Sequence, residues 1–227
     1  MNFLVVSAHP DDEVLGCGGT IAKLASQGHA VSILILGEGV TSRFADPDDA
    51  DPKELEKLHA QAKEIGKFLG AKEVTLAKLP DNRFDSIDLL DVIKVIEDEV
   101  NRLKPEIVYT QHGGDLNMDH VITFRAVLTA TRPMKGSPVQ KVYGYEVHSS
   151  SEWAFRQFAP VFHPNTFVDI GSTLEKKIKA MAMYEGEARP FPHPRSPEAL
   201  RAGALTWGSV AGLPAAEAFQ LIREIQS

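Results

Sequence analysis

An imidazole and three carboxylates stand within five residues at His9-Pro10-Asp11-Asp12-Glu13, directly after the apolar run Phe3-Leu4-Val5-Val6. Carboxylates crowded in this way repel one another and raise one another's pKa, so the cluster makes most sense around a cation. Pro10 stiffens the turn and biases His9 toward an extended backbone, so its ring can face the same point as a carboxylate three residues on. That is chelate spacing. A helix-capping Asp is the plainer alternative for Asp11 or Asp12, but capping uses one carboxylate and leaves the others unexplained. A second polar segment, Gln111-His112-Gly113-Gly114-Asp115-Leu116-Asn117-Met118-Asp119-His120, follows the apolar Ile107-Val108-Tyr109. If its loop meets the first, His120 joins His9 and one Asp. Such a set, with a fourth position left to water, is the coordination expected of a catalytic zinc, whereas magnesium would prefer carboxylates and waters.

The elements that must position these residues are legible from periodicity. Residues 3–7 read as a strand, the Gly-rich stretch to Gly19 as a loop, and Ile21, Leu24 and Ala25 as a helix. The continuous apolar run 31–36 is that of a strand covered on both faces. Residues 37–52, with Asp-Pro-Asp-Asp-Ala-Asp-Pro, carry too much charge and proline for a regular element and form a long loop. Leu55, Leu58, Ala62, Ile65 and Leu69 mark a helix ended by Gly70, followed by a strand at 73–79. Leu89 to Leu103 repeats the helical pattern until Lys104-Pro105 stops it, and residues 107–109 supply a fourth strand before the helix of Val121, Phe124, Val127 and Leu128. Residues 139–147 and 166–170 look strand-like. The last third reads as mostly helical, at 174–184, 197–204 and 215–225. Alternating strands and helices predict a single-domain, Rossmann-like α/β fold over residues 1–227, with a mostly parallel sheet and helices on both faces. Ligands of such a sheet sit beyond the carboxyl ends of its strands, where the strand order reverses. The His9 and His120 loops both lie there.

Bulk properties exclude several classes. The chain has 227 residues, 43% of them hydrophobic, one Cys and no apolar run near membrane-spanning length, so a disordered chain, a disulfide scaffold and a transmembrane protein are excluded. A net charge of −7, with no Lys/Arg cluster, argues against a nucleic-acid partner. Nothing at the start directs export, and a reducing cytoplasm is the expected location.

The Ala8-His9-Pro10-Asp11-Asp12-Glu13 motif, the Gly16-Cys17-Gly18-Gly19-Thr20 that follows and Asp119-His120 resemble the PIG-L/LmbE-like deacetylases, metal-dependent enzymes that remove acetyl groups from N-acetylated amino sugars. Arg189-Pro190-Phe191-Pro192-His193-Pro194-Arg195-Ser196 and Ala216-Glu217-Ala218-Phe219 also look like C-terminal features of bacterial members, so the resemblance covers the whole chain. It implies one Zn2+ held by His9, Asp12 and His120, a metal-bound water as nucleophile, Asp11 as general base, and an N-acetylglucosamine-type substrate. Oligomers are common among the members it resembles, and a homo-oligomer is the expectation, although no stretch identifies an interface. Many members carry a His three residues before the last ligand; this chain has Asn117 there. Asn can donate a hydrogen bond but cannot be cationic, which leaves His193 or His112 to provide the positive charge. Asp119 is placed to orient an imidazole. Arg43 lies where the family places a substrate-contacting arginine, and its guanidinium could hold sugar hydroxyls or a phosphate. Trp153 could stack on a sugar face, while Cys17 reads as a small buried residue.

Two other readings remain open at this stage. A zinc amidase or esterase acting on a non-sugar substrate would use the same residues. A nucleotide-binding module is suggested by Gly16-x-Gly18-Gly19, but the spacing is not that of dinucleotide folds and the acidic cluster would repel a pyrophosphate.

Overall fold

Along the first strand, Phe3 and Val5 enter one apolar cluster while Leu4 and Val6 enter another, and all are buried. Such a strand needs helices on both faces of its sheet, and the computed structural model, which describes residues 1–226, has them. Strands β1 (Asn2–Ser7), β2 (Ala30–Gly37), β3 (Glu73–Leu79), β4 (Ile107–Gln111), β5 (Lys141–Tyr145), β6 (Thr166–Asp169) and β7 (Ala216–Glu224) form one seven-stranded sheet in the order β3-β2-β1-β4-β5-β7-β6. β1 to β5 are parallel, and β7 runs antiparallel between β5 and β6. On one face α1 (Asp12–Ser26), α2 (Pro52–Leu69) and α5 (Leu174–Met183) contribute Leu15, Ile65 and Met181 to the core. On the other, α3 (Leu89–Leu103) and α4 (Met118–Ala130) contribute Ile96 and Val127. α6 (Pro197–Ala211) packs over β6 and β7. The doubly wound, mostly parallel α/β class predicted from the sequence is the one observed. Among the described residues no helix is long and apolar enough to cross a membrane.

The chain leaves β1 for β2 and β3 on one side and returns to β4 on the other, so β1 and β4 are neighbours at the reversal of strand order. Their C-terminal loops therefore flank one crevice. The long loop after β2 contains two short 3-10 turns, Thr41–Arg43 and Pro47–Asp49, and closes when the Asp51 side chain accepts from the Lys53 amide at the start of α2. Gly16 is required where α1 crosses the end of β5, because a Cβ there would come within 2.2 Å of the Tyr145 ring. Tyr145 is itself fixed by its hydroxyl, which donates to the Val6 carbonyl at 3.0 Å.

Two elements depart from the sequence reading. The Gly-rich stretch to Gly19, expected as a loop, is helical from Asp12, its glycines serving close packing of α1 on Tyr145 and Ile170 rather than a turn. Residues expected as a helix at 215–225 form β7 instead. Ala, Glu, Gln and Leu favour helices, but propensity yields to tertiary context. Phe219 packs edge-on against Tyr109 and Tyr143 on one face, at 4.9 and 6.3 Å, while Ile222 joins the opposite core. That two-residue alternation fits a strand inserted between β5 and β6.

β7 also anchors the helix that carries the acidic cluster. The Glu217 carboxylate accepts from the Gly19 and Thr20 amides of α1 at 2.9 and 2.7 Å and from Lys177 Nζ at 2.6 Å. Lys177 Nζ also donates to the Leu15 carbonyl at 2.8 Å. Both charges are buried, so removing one leaves the other uncompensated. Glu217→Ala is expected to lower unfolding stability by about 3–5 kcal/mol, read by urea denaturation; a loss below about 1 kcal/mol would show that the pair does not hold α1 in place.

Candidate metal centre

β1 delivers His9 and Asp12 to the crevice, and β4 delivers His120 at the start of α4. One ligand atom from each of His9, Asp12 and His120 can be chosen so that all lie within 4.8 Å of one another. Asp12 Oδ2 lies 3.6 Å from His9 Nδ1 and 3.4 Å from His120 Nε2. It also accepts from the His9 amide and from Gln111 Nε2, both at 2.8 Å. Behind each ring stands another carboxylate. His9 Nε2 donates to Asp119 Oδ2 at 2.9 Å, and Asp119 Oδ1 accepts from the Phe84 amide at 3.0 Å. His120 Nδ1 lies 3.2 Å from Asp115 Oδ1, close enough for charge although not in hydrogen-bond geometry. Asp115 is held in turn by the Ser150 and Ser151 hydroxyls.

A carboxylate behind each imidazole fixes the ring and leaves its front nitrogen toward the shared point, the usual support of metal-binding histidines. Burial disfavours protonated rings, yet the surrounding carboxylates outweigh it. Asp119 and Asp12 push His9 up to about 10, and Asp12 with Asp115 pushes His120 up to about 9. Asp12 is held well below the usual carboxylate range, against burial, by His120 and His9. The group therefore draws positive charge to its centre, and its nitrogen and oxygen donors suit zinc. The residues present fit a single metal ion.

Asp11 is set apart from this group by its backbone. Its φ of 113° is rare for a residue with a side chain, and the carboxylate does not cap α1. Instead Asp11 Oδ2 lies 2.7 Å from Arg195 Nη1. Burial raises the Asp11 carboxyl well above its usual range, against the pull of Arg195. Arg195 is itself oriented by Ser149 Oγ at 2.8 Å and Glu187 Oε2 at 2.9 Å. Glu13, next along α1, is turned away, accepting from the Tyr184 hydroxyl at 2.6 Å and the Asp11 amide at 3.1 Å; burial pushes it up to about 7.

A cavity of about 170 Å³ opens on these groups and is walled further by Ser42, Arg43, Asp81, Asn82 and Asn117. Arg43 pairs with Glu187 across its rim. Asn117 faces the cavity with both polar atoms engaged: Oδ1 accepts from the Asp119 amide at 2.8 Å, capping α4, and Nδ2 donates to Asn82 Oδ1 at 2.7 Å. Three residues singled out from the sequence lie elsewhere. His112 turns the other way, between Phe124 and Phe162. His193 packs edge-on to Trp153 at 5.5 Å and accepts from the Arg195 amide; Trp153 is 41% exposed on an open surface. The cation beside Asp11 is thus Arg195, two residues from the expected His193, because the turn that holds the His193 ring outward carries the guanidinium inward. Sequence reasoning also missed Asp81, which accepts from Ser42 and lies 3.6 Å from His9 Nε2. Its place just after β3, at the carboxyl end of a strand, was the available signal.

Fold and site together describe a doubly wound α/β protein with a His-Asp-His group able to hold a metal ion at its switch point. Comparison with known proteins agrees. The family described as PIG-L, GlcNAc-PI de-N-acetylase, matches residues 4–131, and the chain belongs to that family. It is an enzyme of the de-N-acetylase class. The chain is 25% identical over 232 residues to a diacetylchitobiose deacetylase of Thermococcus kodakarensis, covering 96% of this chain and 82% of the relative. It is 29% identical over 202 residues to a 4-oxalmesaconate hydratase of Pseudomonas putida, covering 81% and 73%. The solved N,N'-diacetylchitobiose deacetylase of Pyrococcus horikoshii shares the fold, with a TM-score of 0.77 over 98% of this chain and 84% of that one at 20% identity.

Removing a supporting carboxylate should cost about 10–100-fold in metal affinity. Zinc titration against a competing chelator is expected to show that loss for Asp119→Ala and a larger one for His120→Ala. Wild-type affinity in both variants would refute the metal centre.

Proposed function

We propose that the chain is a zinc-dependent N-deacetylase that removes the acetyl group from an N-acetylglucosamine-type amino sugar or its conjugate. The reading is carried by one arrangement: His9, Asp12 and His120 converge on a point beside the cavity, while Asp11, adjacent in sequence, faces the same cavity next to Arg195. Zinc held by His9, Asp12 and His120 would polarise the acetyl carbonyl and lower the pKa of a water toward about 7. Asp11 is the carboxylate placed to take the attacking water's proton and return it to the leaving amine. Its burial makes it a stronger base than an exposed aspartate. Arg195 supplies the positive charge that Asn117 cannot, and holds one Asp11 oxygen while the other stays free for the proton. Ser42, Asn82, Asp81 and Arg43 offer the mixed donors and acceptors that hydroxyl groups require.

The relative named as a hydratase favours a second reading, addition of water to an unsaturated acid. Lining charge does not separate the two readings, because Asp11, Asp12, Asp81 and Glu187 face Arg43, Arg195 and the imidazoles of His9 and His120; the family match favours the deacetylase.

An amine-release assay with zinc restored after chelation separates the cases. N-acetyl sugars are expected to release amine faster than simple amides; equal rates across the panel would remove the sugar assignment, and water addition to an unsaturated diacid without amine release would favour the hydratase. Asp11→Asn should keep its zinc and lose about 10²–10⁴-fold in turnover, the range for a general base. Turnover near wild type in that variant would refute the role of Asp11.

A further inference from the structure

The turn after α5 carries two glutamates, Glu185 and Glu187, and each is set against cations brought by distant elements. Glu185 Oε2 accepts from Lys57 Nζ of α2 at 2.6 Å. Glu187 spans two guanidiniums: Oε1 accepts from Arg43 Nη2, and Oε2 accepts from Arg195 Nη1 at 2.9 Å. Arg43 and Glu187 line the metal-site cavity and also a neighbouring one of about 150 Å³, whose wall adds Glu54, Lys57, Gln61 and Glu185. Their ion pair is therefore the partition between the two. The metal-site cavity, about 170 Å³, is smaller than the roughly 300–1,000 Å³ usual for small-molecule sites. A sugar conjugate seated in it extends beyond it, and the rim carries the Arg43 pair with Glu187.

Exposed ion pairs add little to stability, so the charges of this turn matter more for what the cavities attract. The lysine and arginines lining the two cavities are Lys57, Arg43 and Arg195, and each is paired with Glu185 or Glu187. Arg195 holds Asp11 as well, while His9 and His120 face Asp12, Asp119 and Asp115. A phosphate or carboxylate on the far side of the sugar thus meets no unpaired lysine or arginine. To gain one it must displace Glu187, which would leave a half-buried carboxylate without its partner. A hydroxyl needs no such exchange, because it can accept from Arg43 and donate to Glu187 while the pair persists. We propose that Glu187, with Glu185 behind it, determines specificity: it confines the substrate to N-acetylglucosamine conjugates whose attached group is uncharged, a second sugar or another polyol, and excludes anionic conjugates. The inference rests on the deacetylase reading and concerns only the part of the substrate beyond the acetylated ring. Of the two ligands that Arg43 alone suggests, hydroxyls or a phosphate, Glu187 leaves the hydroxyls.

The test compares two glycosides of N-acetylglucosamine that differ in charge and little in shape, the 2-hydroxyethyl and the carboxymethyl, with N-acetylglucosamine 1-phosphate as a second anion. Amine release by the zinc-loaded enzyme gives kcat/KM for each. Wild type is expected to favour the hydroxyethyl glycoside over both anions by about fivefold or more, the scale of one like charge close by at a protein surface. Glu187→Gln should shrink that preference by about threefold or more, chiefly through KM, and Glu187→Asp, which keeps the charge, should retain it. A loss of turnover from a misplaced Arg195 would slow all three substrates alike and cancel in the ratio. Raising salt from about 0.05 M to about 1 M should narrow the wild-type preference, because charges at an exposed rim are then screened within about 3 Å. That measurement decides should Glu187→Gln fail to fold. Equal rates or an anionic preference in wild type, a preference insensitive to salt, or a ratio unchanged in Glu187→Gln would overturn the proposal and leave the deacetylase standing. No amine from any of the three would remove the deacetylase reading and this inference with it.

Discussion

Carboxylates packed into a buried crevice must each find a positive or hydrogen-donating partner, and this requirement organises the upper edge of the sheet. Asp119 has the His9 ring and the Phe84 amide, Asp115 the Ser150 and Ser151 hydroxyls, Asp81 the Ser42 amide and hydroxyl, Glu13 the Tyr184 hydroxyl, and Asp11 the Arg195 guanidinium. Asp12 differs. Its Oδ2 takes the His9 amide and Gln111, but it also faces two imidazole nitrogens across more than 3 Å. Those gaps are too long for good hydrogen bonds and lie where an ion would complete the set. Asp12 is thus the carboxylate that both imidazoles face, and the point they share is where an ion would fit.

Keeping Asp11 out of that set requires distortion. Adjacent residues at the start of a helix would otherwise crowd their charges, and the left-handed backbone at Asp11 turns its side chain toward Arg195 while Asp12 faces the rings. Such a conformation costs about 1–3 kcal/mol and persists only where its surroundings enforce it. The enforcement comes from two points along α1. Its first turn is tied to β1 through the Asp12 contact with the His9 amide, and its middle is tied to β7 and α5 through Glu217 and Lys177. The antiparallel strand far from the metal site is therefore part of what shapes it.

How much was legible beforehand follows the range of the forces involved. Strands β1 to β4 and the helices between them declare themselves by local periodicity, and the His9 motif is readable because its residues are neighbours in sequence. β7 is not readable that way. Its Ala-Glu-Ala-Phe composition favours a helix, and only the gap between β5 and β6 makes a strand of it. The same holds for Arg195, 184 positions from Asp11 by their residue numbers, and for Asp115, whose role depends on where the His120 ring settles. His112 illustrates the opposite error. Its sequence position beside the motif suggested a part in the site, but one rotation at the end of β4 sends its ring to a different cavity.

The two halves of the chain divide the chemistry unequally. Residues 4–131, matched by the family, contain His9, Asp11, Asp12 and His120, all that a metal and a general base require. Glu187 and Arg195 lie beyond that stretch and line the same cavity from the C-terminal side. With Asn117 tied into the α4 cap, the positive charge beside Asp11 arrives from the C-terminal segment, on Arg195. An arginine remains charged throughout the pH range in which a histidine titrates. It also presents a fork of donors where an imidazole offers one. Under the proposed function the N-terminal half would fix where water is activated, and the C-terminal segment would set what charge surrounds the group being attacked, which is where chains of one fold can part in substrate and even in reaction.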